Sequence, residues 1–280
     1  MINKKLHTLL FLFVICTMAF AQDPCGSFVL NGYSRKPTPY RAVREADVSW
    51  SKRIWRDIDA HEKINRIFRY SQEKKPDPNF INLIDLLLCN IMNQTLMAYD
   101  ASVDDHFTKE LSREEVQWKI SGHWDIHKVE IPEPPYEKEV HKLIGSLKKE
   151  DVVLYRIKED WFFDKKWGKM DVRIIGICPV CQKRDDYGNL KEGYEPLFWI
   201  YFPEARYIFA NADVYNSRDT AKRVTWDDVF NERMFGSYII KESNVRNESI
   251  DQTKVGMDQI IESKRIHDNR VNQESDMWEY

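Results

Sequence analysis

Two cysteines three positions apart are the most chemically suggestive pair in the chain. Cys178 and Cys181 lie in the stretch "IGICPVCQKRDDYGNL", residues 175–190. Such a pair can serve thiol redox catalysis, provide half of a zinc site, or close a local disulfide. A redox motif needs a helix directly after the first cysteine, whereas Gly188, Gly193 and Pro196 follow here and disfavour a helix. We therefore expect the pair to lie in a hairpin loop.

The choice between these chemistries depends on the compartment, which the N-terminal residues indicate. Lys4 and Lys5 precede the apolar run 9–15, and small residues lie just before Gln22. This is the order of a secretory signal peptide, and we predict cleavage between Ala21 and Gln22. The run is shorter than the roughly 20 residues that span a bilayer, so cleavage is favoured over a retained anchor. We expect an exported chain without a membrane anchor of its own.

Export to an oxidising compartment favours a disulfide between Cys178 and Cys181. A zinc site would need two further ligands, and the chain has no second Cys-x-x-Cys. Cys25, Cys89 or a histidine could supply ligands only through the fold. Free thiols, a metal site and redox catalysis therefore remain alternatives to the disulfide. Cys25 could also pair with Cys89 or with another chain.

Two further groups have side chains that could do chemistry. The run from Glu159 to Asp164 combines carboxylates with aromatics, as a sugar-cleaving site does. However, glycosidase carboxylates face each other across about 5 to 9 Å, which sequence neighbours rarely achieve, so we predict a packed turn between strands. His123 and His127 have the spacing of helical metal ligands, but their surroundings are a poor helix and no Glu follows His123. We interpret both as ordinary surface or core histidines.

No other catalytic signature is present in the sequence. A Ser nucleophile elbow, a phosphate-binding loop and a dinucleotide fingerprint are all absent. The formal net charge of −3 argues against nucleic acid or an anionic lipid surface as the main partner. The chain has 9 Trp, 13 Tyr and 14 Phe, most of which we expect to fill the core. The residues by themselves predict no catalytic centre, no cofactor and no metal site.

The periodicity of apolar residues predicts an α+β fold. Residues 41–65 place Val43, Ala46, Trp50 and Ile54 at helical spacing, which favours an amphipathic helix. Further helices are predicted in segments 80–100, 112–119, 140–147, 225–235 and 251–271. Strands are predicted in segments 151–164, 168–177 and 195–206, which are rich in β-branched and aromatic residues. Amphipathic helices should thus flank a small antiparallel sheet.

These elements suggest a division of the chain into four segments. Residues 1–21 are the predicted signal peptide, and 22–40 form an extended N-terminal arm with Pro24, Pro37 and Pro39. An α+β domain is expected for 41–248, with a helical part at about 41–148 and a sheet-containing part at about 149–248. Residues 249–280 should form a C-terminal helical tail.

Several long stretches carry a family resemblance. "READVSWSKRIWRDID" from Arg44 and "IKEDWFFDKKWGKMDVRIIGI" from Ile157 resemble the GldN/PorN family of gliding-motility and type IX secretion proteins of the Bacteroidetes. "LFWIYFPEAR" from Leu197, "RMFGSYIIKESNV" from Arg233 and "DMWEY" from Asp276 agree in the same order. The Cys-Pro-Val-Cys pair does not match the family motif, which again favours a local disulfide over a shared mechanism.

The resemblance implies a non-enzymatic part of a secretion and motility machine in the periplasm, associated with the outer membrane through partners. Family members form a ring with an outer-membrane lipoprotein, GldK or PorK. They are linked to the inner-membrane motor proteins GldL and GldM, or PorL and PorM. The family implies no catalytic residues and no cofactor.

A ring subunit needs two different contact surfaces, because head-to-tail contacts use unlike patches. We hypothesise that partner contacts involve Trp50 and Trp55 on the predicted first helix, and the aromatic turn formed by Trp161, Phe162 and Phe163. Both groups would equally suit a core. The alternative functions are a periplasmic thiol-disulfide or metal-binding protein that uses Cys178 and Cys181, and a carbohydrate-binding module.

Overall fold

The structure is a computed structural model that describes residues 35–69, 80–121, 123–130, 137–144, 151–184, 190–215 and 223–278. The predicted signal peptide, its cleavage site between Ala21 and Gln22, and Cys25 lie outside these residues. The strands are β1 (Val48–Asp59), β2 (Ala98–Asp100), β3 (Glu110–Leu111), β4 (His123–Glu130), β5 (Glu137–Ile144), β6 (Val152–Asp164), β7 (Lys169–Arg184), β8 (Leu190–Pro196), β9 (Phe198–Tyr201), β10 (Asp213–Val214), β11 (Val224–Thr225) and β12 (Tyr238–Glu242). The α-helices are α1 (Leu83–Met92), α2 (Arg113–Ser121), α3 (Phe202–Phe209), α4 (Trp226–Asn231), α5 (Ile250–Thr253) and α6 (Met257–Trp278), and short 3-10 helices cover Glu45–Asp47 and Lys63–Phe68.

An antiparallel sheet organises these elements. Its strand order is β12-β1-β6-β7-β9-β2-β3, and β8 pairs with β7 as well. The long hairpin β6–β7 forms the centre, with Phe163 opposite Met170 near its turn and Ile157 opposite Ile177 further along. Strand β1 runs antiparallel beside β6 over nearly its whole length. Strands β4 and β5 pair with each other, as do β10 and β11.

The two faces of the sheet differ because successive residues of a strand point to opposite sides. One face is covered by helices and holds the main core, including Ile58, Tyr155 and Ile177, which are fully buried. We call this the helix-covered face. The opposite face carries a second, smaller cluster around Trp55 and many ionised side chains, and we call it the charged face.

Aromatic rings form the middle of the main core. Phe202 and Phe209 of α3 contact Phe230 of α4, and Phe230 and Trp226 of α4 contact Phe68, with neighbouring centroids 5.3 to 6.3 Å apart. Edge and tilted contacts at these distances are the favoured arrangements of aromatic pairs. These rings hold α3 and α4 against the sheet.

A buried ion pair joins α3 to α4 and to the N-terminal arm. Arg206 Nε donates to Asp227 Oδ1 at 2.8 Å, and both side chains are 5% exposed. The same guanidinium donates to the carbonyl of Thr38 and lies 4.2 Å from the ring centroid of Tyr40. Residues 35–40 have no helix or strand, yet these contacts attach them to the domain.

The C-terminal helix α6 lies on the helix-covered face at the β12 edge. Its Ile266 packs with Ile54 of β1 and Ile239 of β12, and Ser263 Oγ accepts a hydrogen bond from the backbone N–H of Ile239 at 2.9 Å. The helix therefore covers the outer strand of the sheet. Within the described ranges, no helix is both long enough and apolar enough to cross a membrane.

The predicted α+β class and several elements are confirmed. The two longest strands, β6 and β7, lie where they were expected, as do α1 and α6. The capping box at the start of α2 is present, because Glu115 N–H donates to Ser112 Oγ at 3.2 Å and Ser112 N–H donates to Glu115 Oε2 at 2.8 Å. Thr225 caps α4 in the same way with Asp228.

The predicted helix around Trp50 and Trp55 is wrong, since these residues belong to β1. The apolar residues Trp50, Ile54 and Ile58 recur every four positions, and this spacing fits one face of a strand as well as a helical stripe. The helix expected at 140–147 is likewise strand β5 as far as the described residues go. The strand expected at 195–206 ends at Tyr201, and α3 follows with Pro203 in its first turn.

The expected division into a helical part before residue 148 and a sheet-containing part after it does not hold. Strand β1 pairs with β6 and β2 pairs with β9, so both parts of the chain build one sheet. The helical tail expected from residue 249 also packs against this sheet through Ile250 and Ile266.

Candidate interaction surface

The structure contradicts the predicted disulfide between Cys178 and Cys181. Both residues are buried thiols on β7 and not members of a hairpin loop. Residues three apart on a strand point to opposite faces. Accordingly, Cys178 packs with Leu154 and Trp199 on the charged face, whereas Cys181 belongs to the main core. A disulfide needs the two Cβ atoms about 3.8 Å apart, which this arrangement prevents.

The environment of Cys178 also makes it a poor nucleophile. Burial raises the pKa of the thiol to about 12, and the nearby Arg156 only partly opposes this. The thiolate is the reactive form, and with this raised pKa little of it exists near neutral pH.

In the described part of the chain, no group of three His, Cys, Asp or Glu side chains could hold a metal ion. Cys89 on α1 is disulfide-bonded.

The aromatic residues proposed as partner contacts are mostly core residues. Trp55, Phe162 and Phe163 are 6%, 7% and 5% exposed, and Trp50 and Trp161 are half-buried. They occupy β1 and β6 in the middle of the sheet, where Trp50 lies opposite Phe163. Trp55 and Phe162 are buried on one face of these strands and Phe163 on the other, although Ser51 of β1 is exposed. Burial argues against partner contact for Trp55 and Phe163, whereas Phe162 lines a cleft beside Ser51 and Arg53.

The carboxylates of the Glu159–Asp164 run lie on β6 and serve separate ion pairs. Glu159 is fully buried on the helix-covered face and accepts a hydrogen bond from Arg233 at 2.7 Å. Asp160 lies on the charged face and pairs with Arg53. Neighbouring strand residues point apart, so the two carboxylates cannot act on one bond. His123 and His127 lie on β4, so their spacing of four is not that of a helix.

Ion pairs cross the charged face in register with the strands. Arg156 donates to both oxygens of Asp57 at 2.8 and 2.9 Å, and Arg53 donates to both oxygens of Asp160 at 2.5 and 2.8 Å. Two-point pairing of this kind fixes the geometry of both side chains. The row between these pairs holds Trp55 and Lys158.

A loop formed by residues 101–109 covers the middle of the charged face. Lys158, only 1% exposed, donates to the carbonyl of Asp105 at 2.5 Å, and Trp55 Nε1 donates to Asp105 Oδ2 at 2.7 Å. Burial lowers the pKa of Lys158, and the attraction of Asp105 opposes this shift. The ring of Phe107 lies over Gly176. These contacts close this part of the face.

Beyond the covering loop, the charged face opens into a cleft of about 580 Å³. Its floor comes from three neighbouring strands through Ser51, Arg53, Asp160, Phe162, Arg173 and Ile175. Val43 of the segment before β1 and Val48, the first residue of β1, form a wall. The cleft combines an apolar base with charged groups.

The charges in the cleft leave one cation without an acidic partner. Asp160 lies between Arg53 and Arg173 in the strand register but is hydrogen-bonded to Arg53. Lys52 pairs with Glu242 at 2.9 Å. Arg173 instead stacks on Phe162, with the guanidinium carbon 5.1 Å from the ring centroid, and among the described residues it forms no ion pair. Its Nε is buried and makes no hydrogen bond within that same set of residues.

A second exposed surface lies at the start of α6. Met257, Ile260 and Ile261 are 70%, 65% and 59% exposed. Their spacing places them on one side of the helix, and Ile266 contacts the domain from the other. The cleft and this apolar patch are thus two unlike surfaces on one subunit.

One family model matches the chain. It is described as "Gliding motility associated protein GldN" and covers residues 43–279 of 280. The chain belongs to the GldN family. The family resemblance inferred from the sequence is thereby confirmed, and no curated protein matches the chain. GldN proteins are structural components of the gliding-motility and type IX secretion machinery of the cell envelope, not members of a known enzyme family.

The GldN match contains all residues that line the cleft, from Val43 to Ser243. The sequence did not reveal this site. Its only local signal is a charged residue placed between apolar residues on a strand, as for Arg53 and Arg173. More than one hundred positions separate those two arginines, and strand pairing alone brings them into one row with Asp160.

Proposed function

We propose that this chain is a non-enzymatic periplasmic subunit of the type IX secretion and gliding machinery. In this proposal it forms a ring with an outer-membrane lipoprotein of the GldK/PorK type, which associates it with the outer membrane. The ring couples to the inner-membrane motor of the GldL/GldM or PorL/PorM type. The observation that carries the proposal is the family match over residues 43–279.

The surface of the subunit supports this function. Ring closure requires unlike patches on each subunit, and the chain offers a charged cleft and an apolar patch on α6. The alternative of a thiol-disulfide enzyme receives no support from Cys178 and Cys181. Their sulfurs are buried on opposite faces of β7 and cannot exchange a disulfide with each other.

A pull-down from detergent-solubilised envelopes tests the proposal. A tag on the mature chain should recover a lipoprotein, identified by mass spectrometry, in ring-shaped particles seen by negative-stain microscopy. Recovery of a monomer without any lipoprotein would contradict the ring. An insulin-reduction assay on the same sample should show no activity above buffer, and measurable turnover would support the thiol enzyme instead.

A further inference from the structure

We propose that the cleft on the charged face binds residues 275–280, Ser-Asp-Met-Trp-Glu-Tyr, of a neighbouring copy of the chain. The inference rests on the proposed function, because this contact would be one link of the ring. It begins from Arg173, whose Nη2 donates to the carbonyl of Arg41 but whose Nε has no acceptor, and which has no acidic partner among the described residues. A buried guanidinium N–H without an acceptor costs free energy, so an incoming carboxylate would stabilise this site.

The other charges of the cleft leave room for one carboxylate. Arg53 and Asp160 neutralise each other, and Lys52 is neutralised by Glu242 at the rim. Glu45 is exposed and forms no ion pair within the part of the chain that the structure describes. Arg173 therefore attracts an acidic group while the Arg53–Asp160 and Lys52–Glu242 pairs stay formed, and Glu45 is the unpaired acid that this group must avoid.

The shape and polarity of the cleft also call for an apolar group. Phe162 and Ile175 form the base, and Val43 and Val48 form a half-buried wall. An aromatic side chain can fill such a volume while a neighbouring acidic residue reaches the guanidinium. The occupant should then be a short segment in which acidic and aromatic residues alternate.

Residues 275–280 have this composition. Asp276 and Glu279 supply carboxylates, and Trp278 and Tyr280 supply aromatic groups. Met277 instead contacts its own chain, where its Sδ accepts a weak hydrogen bond from Ser49 Oγ at 3.9 Å. Asp276 is exposed at the end of α6. The segment is thus complementary to the cleft in both charge and apolar character.

The position of α6 indicates a neighbouring copy. In its own chain α6 packs on the helix-covered face, where Ile266 contacts Ile54, and the backbone N–H of Met170 donates to Glu274 at 3.3 Å. The cleft opens on the opposite face. A segment presented on one face and a receptor on the other form a heterologous, head-to-tail contact, which closes into a ring when the rotation between subunits permits.

A peptide-binding experiment on the full mature chain tests this contact. A fluorescein-labelled peptide of residues 272–280 should show saturable binding by fluorescence anisotropy. Ser51→Glu places a carboxylate in the cleft beside Arg173 and should weaken binding about tenfold, as expected for one charge-assisted contact. Ser51 is exposed, so the variant should fold, which its thermal unfolding curve will show. Arg173→Gln should weaken binding to a similar extent.

Matched control variants separate the effect of the added charge on peptide binding from the effect of side-chain size. Ser51→Gln has nearly the size of Ser51→Glu without its charge and should bind like the wild type. Arg66→Gln removes an exposed arginine outside the cleft and should also have no effect. A peptide with Asp276→Asn and Glu279→Gln should bind about tenfold more weakly. No saturable binding, or equal binding by Ser51→Glu and Ser51→Gln, would overturn the proposal.

The envelope pull-down separates this inference from the proposed function. If the wild-type chain recovers lipoprotein rings but does not bind the peptide, the tail contact is wrong and the ring proposal stands. If the peptide binds and no lipoprotein is recovered, the tail contact stands and the ring proposal is wrong.

Discussion

The ring of Phe107 occupies the space into which a Cβ on Gly176 would project. A Cβ at position 176 would come within 2.6 Å of Phe107 Cζ and 3.1 Å of Trp199 Cε3. Gly176→Ala should therefore displace the loop formed by residues 101–109 from the charged face. Overpacking of this kind lowers the free energy of unfolding by about 1 to 3 kcal/mol. Urea unfolding would measure this loss of free energy. Faster hydrogen exchange of the backbone amides of residues 101–109 would show that the loop has been displaced.

A double-mutant cycle attributes the effect to this contact. Phe107→Ala removes the ring, so Gly176→Ala should cost less in that background than in the wild type. Equal costs in both backgrounds would show that the alanine acts on the strand and not on the loop.

Asp100 should make stability depend on acid pH. Burial alone would raise its pKa, but hydrogen bonds from Lys109, Ser102 and Lys119 outweigh this and hold the pKa well below its usual value. A lowered pKa in the folded state stabilises the protein above the unfolded pKa of about 3.9 and loses this contribution as pH falls further. Asp100→Asn should lower the free energy of unfolding at pH 7 by about 1 to 2 kcal/mol.

The pH profile separates this effect from a general loss of packing. The free energies of unfolding of wild type and Asp100→Asn should approach each other as pH falls below about 4. Glu114 is an exposed residue on α2, so Glu114→Gln should not change how the free energy of unfolding depends on pH. A difference between wild type and Asp100→Asn that stays constant from pH 7 to pH 3 would contradict the assigned cause.

Trp161 should hold α6 on the sheet. Its indole packs with the cluster of Ile54 and Ile266, and the guanidinium carbon of Arg270 lies 4.2 Å from its ring centroid. Trp161→Ala should lower the free energy of unfolding by about 2 to 4 kcal/mol and speed hydrogen exchange in α6. Trp118→Ala, at a half-exposed position on α2, should not change exchange in α6. Unaltered α6 exchange in Trp161→Ala would refute this role.

Cys178 and Cys181 should resist alkylation in the folded protein. Both are fully buried, and burial raises the pKa of Cys178 to about 12. Iodoacetamide at pH 8 should label them only after unfolding, as mass spectrometry of their shared peptide will show. Ser51→Cys places a thiol on the exposed floor of the cleft and should react in the folded state. A linked Cys178–Cys181 peptide would restore the disulfide hypothesis.

Local signals explain which elements could be predicted. The starts of α2 and α4 follow from Ser112 with Glu115 and from Thr225 with Asp228, because a capping box involves residues only three apart. Strands β6 and β7 were predictable from β-branched and aromatic residues. Strand β1 was not, since its apolar spacing of four suits a helix as well as a strand.

The sequence by itself determined the family, the α+β class and the beginnings of several helices, because these depend on residues close together in the chain. Only the tertiary structure decided which aromatic residues are buried, that Cys178 and Cys181 face opposite ways, and that Arg53, Asp160 and Arg173 form one row of a cleft. These properties depend on which strands pair and in what register. A shift of one residue would turn every side chain to the other face, and no local pattern specifies that choice.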